Sequence, residues 1–427
     1  MILQHQGLLS SYYSSNLPPE PPEPLNPLSL PPYTIRVKYA TGTTPGSSTP
    51  EDKINSATIV QVDATENIWD ITYENDDWSS LFYYTNGGDS NLREVLGANT
   101  TNVTNMSSMF RSTGLNKISI MDTTNVTDTS NMFLWCSSLY TLPSFFYTPN
   151  LINARAMFAQ CSTFTAFPTI ISSKLTDVSS MFYECTRLTS IQLFNTSTVT
   201  NMESMFYGCS RLTTVPLFNT STVTNMESMF SGCTVLDSIP SFNTSKVTNM
   251  KSMFGGCKAL TSIPLLDTSN VTNMQNMFAN AITLTTIPLL NTSKVTEMRY
   301  MFYGCSSLTT VPLLNMTGRN ITISNMFENC SSLETVPLFD ISSIKQISSL
   351  FKECTSLKSI PLFDTSSVIV MQDTFYNCIN VESGILALYQ QVSTQSNIPY
   401  HSEAFYNCGS NTETGRAELA QLPSDWK

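Results

Sequence analysis

Two histidines, His5 and His401, stand far apart in a chain of 427 residues that also carries eleven cysteines and twenty methionines. A nucleophilic mechanism needs a base beside its nucleophile, and two remote histidines do not supply one. The cysteines are Cys136, Cys161, Cys185, Cys209, Cys233, Cys257, Cys305, Cys330, Cys354, Cys378 and Cys408. Their spacing lacks the C-x-x-C clustering of a zinc site. Free cysteine behaves as a small apolar side chain, so they read as a buried column of reduced thiols, with pairing or metal binding as the alternative. Stacked neighbours ~5 Å apart are within disulfide range, but parallel side-chain vectors fit the disulfide dihedral poorly. All methionines except Met1, Met121 and Met316 fall in a recurring M-x-x-M-F pattern, which reads as core filling rather than copper or haem ligation. Asp70, Asp76 and Asp77 have the chemistry of a calcium site. The surrounding DITYENDDW lacks the spacing and glycine of an EF-hand loop, so a solvated acidic face, or a patch for a basic partner, is the plainer reading.

The elements that position these residues are repeats. A phenylalanine recurs at Phe110, Phe133, Phe158, Phe182, Phe206, Phe230, Phe254, Phe278, Phe302, Phe327, Phe351 and Phe375, at steps of 23 to 25 residues, with a displaced copy at Phe405. Every cysteine lies three residues after such a phenylalanine; Ala281 replaces it once and Thr113 opens the series. Twelve units of this length mean a solenoid. Within one unit, Thr200 and Glu203 have the spacing of a capping box, and Met202, Met205, Phe206 and Cys209 lie at i, i+3, i+4 and i+7, predicting a two-turn helix with one apolar face. Leu212, Val215 and Leu217 predict a turn and a short strand. Pro216 and its counterparts Pro240, Pro264, Pro288, Pro312, Pro337 and Pro361 cannot donate to a ladder, so the parallel sheet should be narrow and interrupted. An Asx-Thr-Ser corner at Asn195, Asn219, Asn243, Asp267 and Asn291 turns the chain by side-chain to backbone hydrogen bonds. The same role accounts for the N-x-S/T sites at Asn195, Asn219 and Asn243. Twelve units at the strand spacing would make a rod of about 60 Å.

Composition narrows the partners. Lysine and arginine (21) fall short of the acids (32), a net charge of −11, whereas phosphate binding needs a basic face. Nucleic acid is therefore not an expected partner. Between Glu51 and Thr100, ten acids face only Lys53 and Arg93, so most of the excess belongs to one segment. Residues 195 to 314 are nearly neutral. Charged residues are only 12%, about half the usual ~25%, leaving Ser, Thr and Asn to supply the polar surface. No stretch approaches the ~20 apolar residues of a membrane span, and MILQHQGLLSSYYSSN does not read as a secretory signal.

The units VTNMESMFYGCSRL (Val199 to Leu212), VTNMESMFSGC (Val223 to Cys233) and VTNMKSMFGGC (Val247 to Cys257) resemble the BspA-like leucine-rich repeats, particularly the bacterial surface repeats first catalogued in mycoplasma lipoproteins. The resemblance covers about residues 100 to 380. It departs from the family where Val-Pro-Leu-Phe replaces an Asp-containing strand. It implies adhesion and protein binding, with no catalytic residue to carry over. Segments of the flanks, including ENIWDITYENDDWSSLFYY and AELAQLPSDWK, are similar to tailed-phage virion proteins of gut bacteria.

The expected architecture is an α/β repeat solenoid, leucine-rich-repeat-like, with short parallel strands and short helices. It comprises a proline-rich arm over 1–32, a small acidic β-rich domain and cap over 33–98, twelve repeats over 99–380 and a C-terminal cap over 381–427. In the cap, Ile385, Leu386, Leu388, Tyr389 and Val392 predict a helix. If Val215 and Leu217 point inward, Thr214, Pro216 and Phe218 point outward, and Phe194, Phe218, Pro240, Phe242, Pro337, Phe339 and Phe363 form an exposed partner stripe. The alternative is a bend at the proline that turns the phenylalanines into the core. The expected function is non-enzymatic binding, with no catalytic residue, cofactor or metal. First comes a virion appendage recognising protein or glycan on a host surface, its arm attached to other virion proteins; then a cell-surface adhesin; then an architectural virion part. The stripe also suits a homo-oligomer.

Overall fold

The computed structural model describes residues 30–45, 53–84, 87–119, 121–143, 145–317 and 321–427. His5 and all of the expected arm except residues 30–32 lie outside them. The chain forms two compact units. The first runs to Cys185 and includes Ile191–Val199; the second holds Thr186–Ser190 and Thr200–Lys427.

The first unit opens with a five-stranded sheet in the order β2-β3-β1-β6-β7. Its members are β1 (Thr34–Tyr39), β2 (Thr58–Asp63), β3 (Ile68–Thr72), β6 (Leu92–Asn99) and β7 (Lys117–Ile118). The intervening β4 (Tyr83–Tyr84) and β5 (Gly87–Gly88) pair with each other. The period of two is clear in β1: Ile35, Val37 and Tyr39 are buried, while Arg36 on the other face grips Asp70 of β3 through two hydrogen bonds of 2.7 and 2.8 Å. Asp63 ends β2 by accepting the amides of Thr65 and Glu66. These pairings account for much of the acidic segment. The Asp77 carboxyl is opposed by burial, but hydrogen bonds from Ser79 and the Lys53 ammonium hold it below the usual carboxylate range. Among the described residues, no group of three or more His, Cys, Asp or Glu is placed to hold a metal.

The sheet runs into stacked coils through the parallel pairing of β6 with β7. Stacking begins one coil earlier than the phenylalanine spacing indicates. Trp78, Leu81 and Phe82 take the places that Met106, Met109 and Phe110 hold in the next coil, and the Phe82 ring lies 5.4 Å from that of Phe110. In the first unit Phe110, Phe133, Phe158 and Phe182 continue the column, each ring parallel to the next at 5.4–6.0 Å. Short parallel strands occur here, as β8 (Phe145–Tyr147) and β9 (Thr169–Ile171), but they follow the proline position rather than span it, and no strand forms at the expected Val215 and Leu217.

The second unit corrects the helix expectation. Met202, Met205, Phe206 and Cys209 are all fully buried, as predicted, but the backbone is a chain of tight turns. Met205, Tyr207 and Cys209 donate to the carbonyls three residues back. Met202, Ser204, Phe206 and Gly208 donate instead to Asn225, Glu227, Met229 and Ser231 of the next coil, at 2.7–3.0 Å. Left-handed residues at Ser204 (φ 53) and Gly208 (φ 69) produce the alternation. A two-turn helix would leave its first four amides unpaired and lies below the length that persists alone. Sending alternate amides along the stack satisfies them. The capping box is replaced as well: Glu203 and Glu227 amides are taken by Asn201 Oδ1 (3.1 Å) and Asn225 Oδ1 (3.0 Å), and those asparagines form single-residue parallel bridges from coil to coil.

Other expectations hold in detail. The Ser221, Ser245, Ser269 and Ser293 amides donate to Asn219, Asn243, Asp267 and Asn291 Oδ1. The threonine between them is buried and donates to the next coil, as from Thr220 Oγ1 to the Asn243 carbonyl at 2.8 Å. All eleven cysteines are free and buried. Along the column, thiols from Cys136 to Cys185 and from Cys233 to Cys378 donate to a phenylalanine carbonyl of the preceding coil, as from Cys233 to Phe206 at 3.2 Å. Burial pushes the Cys136 thiol up to about 11 and those of Cys257 and Cys305 up to about 12. Since the thiolate is the reactive form, the folded chain should react with a thiol reagent at pH 8 at almost none of its eleven cysteines, and with all of them in denaturant. Rapid native modification of several would contradict a closed column.

The second unit closes on two helices, α1 (Ile385–Ser393) and α2 (Glu413–Ala420). Ile385, Leu388 and Val392 face inward on α1. The sequence reading did not include α2, whose start Thr412 marks by accepting the Gly415 amide at 3.0 Å. Trp426 finishes the column: its ring stacks on His401 at 3.8 Å and lies 6.2 Å from Phe405. Its carbonyl accepts the Phe405 amide, where a further coil would otherwise pair.

Candidate binding surface

The Val-Pro-Leu-Phe segment carries the surface, and its geometry follows from the proline. The Phe218 amide donates to the Pro216 carbonyl two residues back at 2.9 Å; Phe242 and Phe363 do the same to Pro240 and Pro361. Such a three-residue turn pushes its middle residue out and brings the following one in. It therefore shifts the phase of the alternation by one residue, which a period-two reading cannot anticipate.

The alternative reading, a bend at the proline that turns the phenylalanines into the core, is the one found, and the exposed stripe is corrected accordingly. Phe194, Phe218, Phe242, Phe339 and Phe363 are buried. In the second unit they form a second aromatic layer against the main column, Phe218 on Phe206 at 6.2 Å, Phe242 on Phe230 at 6.2 Å, Phe339 on Phe327 at 6.0 Å and Phe363 on Phe351 at 6.1 Å. They cannot touch a partner in this fold. Thr214 is exposed, and Pro216, Pro240 and Pro337 are half-buried.

The outward residue is the one after the proline. Leu265, Leu289, Leu313, Leu338 and Leu362 are 70, 63, 59, 61 and 56% exposed, occupying one slot in five consecutive coils. Single exposed leucines are ordinary, but one per coil in an unbroken run makes a contiguous apolar patch of the kind that marks an interaction surface. Exposed Thr261, Ser262, Thr285, Thr286, Thr309 and Thr310 border it on one side. On the other lie the Asx corners, where serine hydrogen bonds hold the Asp267 and Asp340 carboxyls below their usual range. The recurring triplets PLL and PLF carried this signal in the sequence.

No curated protein matches the chain. A leucine rich cell surface protein from Faecalibacterium prausnitzii A2-165 is 18% identical over 55% of this chain and 76% of its own, with a TM-score of 0.30. A leucine-rich repeat protein from Eubacterium ventriosum ATCC 27560 is 16% identical over 71% of this chain and 85% of its own, also with a TM-score of 0.30. The virion setting expected from the flanks finds no support among these matches. Residues 76–188, 176–283, 234–335 and 321–416 match the family described as "Mycoplasma protein of unknown function, DUF285", and across its coils the chain belongs to that family.

Proposed function

We propose that the chain is a non-enzymatic binding protein acting at or outside a cell surface, and that it docks a protein partner along the stripe from Leu265 to Leu362. The observation that supports this reading is the stripe itself: five leucines, more than half exposed, that the fold does not need for its own core. A surface that is apolar in the middle and hydroxyl-rich at the side has the layout of a protein interface, a dry centre inside a polar rim. The surrounding charge is low, so contact area rather than long-range attraction supplies the affinity.

A variant with serine at 265, 289, 313, 338 and 362 should fold with nearly unchanged thermal stability, because the side chains removed are mostly in solvent. Its binding to a panel of bacterial and epithelial cells, measured by flow cytometry of the labelled chain, should fall by about tenfold or more, equivalent to ~1.4 kcal/mol. Protease treatment of the cells should reduce wild-type binding to the same level. Undiminished binding by the serine variant sinks the proposal. A wild-type dimer that the variant abolishes would reassign the stripe to self-association.

A further inference from the structure

Three consecutive coils of the second unit bring polar and aromatic side chains together at one place, and one of these residues, Tyr300, departs from the repeat's own pattern. Regular coils read Asn-Met-Glu-Ser-Met-Phe-Ser-Gly-Cys from Asn225 to Cys233. At 273–281 the same slots bring in Gln275, Asn276 and Asn280; the next coil has Tyr300 and Tyr303; the one after has Asn325 and Glu328. Together with Ala279, these residues line an open, shallow groove with a volume of about 570 Å³.

The asparagines at 276, 280 and 325 suit the positive φ of their slots, but the fold does not require the tyrosine at 300. Tyr300 sits at φ 58, in a left-handed slot otherwise held by Ser, Asn, Asp, Ala or Glu, and a bulky residue is costly in that conformation. Backbone strain kept where the pattern offers a cheaper residue points to use. Among the described residues, none is a hydrogen-bond partner of the side-chain amides of Gln275, Asn276 or Asn280. Gly304 leaves room for Asn280: a Cβ there would come within 2.6 Å of its Oδ1.

From this we infer that the groove binds a neutral oligosaccharide. The Tyr300 and Tyr303 rings meet at 73° with centroids 5.9 Å apart, forming a corner. One electron-rich ring face can cover the C–H face of a pyranose while the other ring closes its edge. Each free amide both donates and accepts, which is what a row of sugar hydroxyls demands. The one charged group in the lining, Glu328, accepts from Asn325 Nδ2 at 2.6 Å. The lining holds no cation, which disfavours phosphates and uronates. The groove is open, so it fits an internal stretch of a glycan chain rather than a small molecule sealed from water. This site is separate from the leucine stripe and does not depend on it.

The test uses the full chain with maltohexaose, cellohexaose, mannohexaose and chitohexaose, followed by saturation-transfer NMR and calorimetry, with hexagalacturonate and a hydrophilic peptide as controls. At least one neutral hexasaccharide should bind. Tyr300→Ser and Asn280→Gly each install the residue that regular coils carry, so both should fold at least as well as wild type while weakening that sugar by about tenfold or more. Tyr303→Phe should retain most of the affinity, because it keeps the ring, and the leucine-to-serine stripe variant should bind as wild type. The inference is overturned if no neutral hexasaccharide gives saturation transfer, if Tyr300→Ser and Asn280→Gly bind as wild type, or if only the uronate or the peptide binds.

Discussion

Phe254→Ala should destabilise the second unit by about 3–5 kcal/mol, read from urea denaturation followed by circular dichroism. Phe254 is fully buried, and its ring is stacked on both sides, with Phe230 at 5.9 Å and Phe278 at 5.6 Å, interplanar angles 7° and 12°. Truncation leaves a cavity that the neighbours cannot close, because each is held in place by the next ring. It also removes two stacking contacts, each worth about 0.5–1.5 kcal/mol beyond area burial. Each coil is stabilised chiefly by its two neighbours, so hydrogen exchange should accelerate first at Met229, Met253 and Met277, on either side of the gap. Phe254→Leu should recover a large part of the loss. A cost below about 1 kcal/mol for the alanine variant would mean that the column is not the source of cohesion.

Gly384→Ala is the second large effect. Gly384 precedes α1 with φ 100 and ψ −10, and a Cβ there would lie 2.2 Å from the Ile360 carbonyl oxygen. The left-handed conformation alone costs an L-residue about 1–2 kcal/mol. The clash is with backbone, which has no rotamer to escape into, so the total should reach about 2–4 kcal/mol. The damage should be local. Ile360 also bonds through its amide to the Ser383 carbonyl, so a shift at 384 loosens the seam under α1. Faster exchange over residues 385–427 and a change in Trp426 fluorescence are expected, with the coils from 201 to 281 unaffected. Wild-type exchange in the cap would contradict this account.

What the sequence made legible was chemical periodicity, and what it concealed was backbone path. The buried set at Met202, Met205, Phe206 and Cys209 is identical for a helix and for successive four-residue turns, since both return side chains to one side at i, i+3, i+4 and i+7. The discriminating signal lay in the intervening slots. Ser204 and Gly208, with Asn276, Asn280, Asp373 and Asn377 at the same places, are mostly small or Asx residues suited to positive φ. The exposed stripe was placed one residue off for an equally local reason, the bend at the proline, which closes as a three-residue turn at Pro216, Pro240 and Pro361. Phe82 escaped the count because its coil is separated from Phe110 by 28 residues, beyond the regular step, and helix α2 because Thr412 was its only clear boundary mark. The Asx corners were readable because their hydrogen bonds run within three residues. The groove around Tyr300 was not, since it appears only when slots from three coils are laid side by side.

The coil-to-coil amide bonds also bear on heredity. Because Met202, Ser204, Phe206 and Gly208 bond to the next coil as Met226, Ser228, Phe230 and Gly232 bond to theirs, an in-frame gain or loss of one 24-residue segment joins surfaces that already fit. Val199 to Cys209 and Val223 to Cys233 differ at one residue, Tyr207 against Ser231, so either can stand in the other's place in the stack. Coil number is thus a dimension that a lineage can lengthen or shorten in whole steps. Each step taken among the Pro-Leu coils adds or subtracts one outward leucine without any new structural solution.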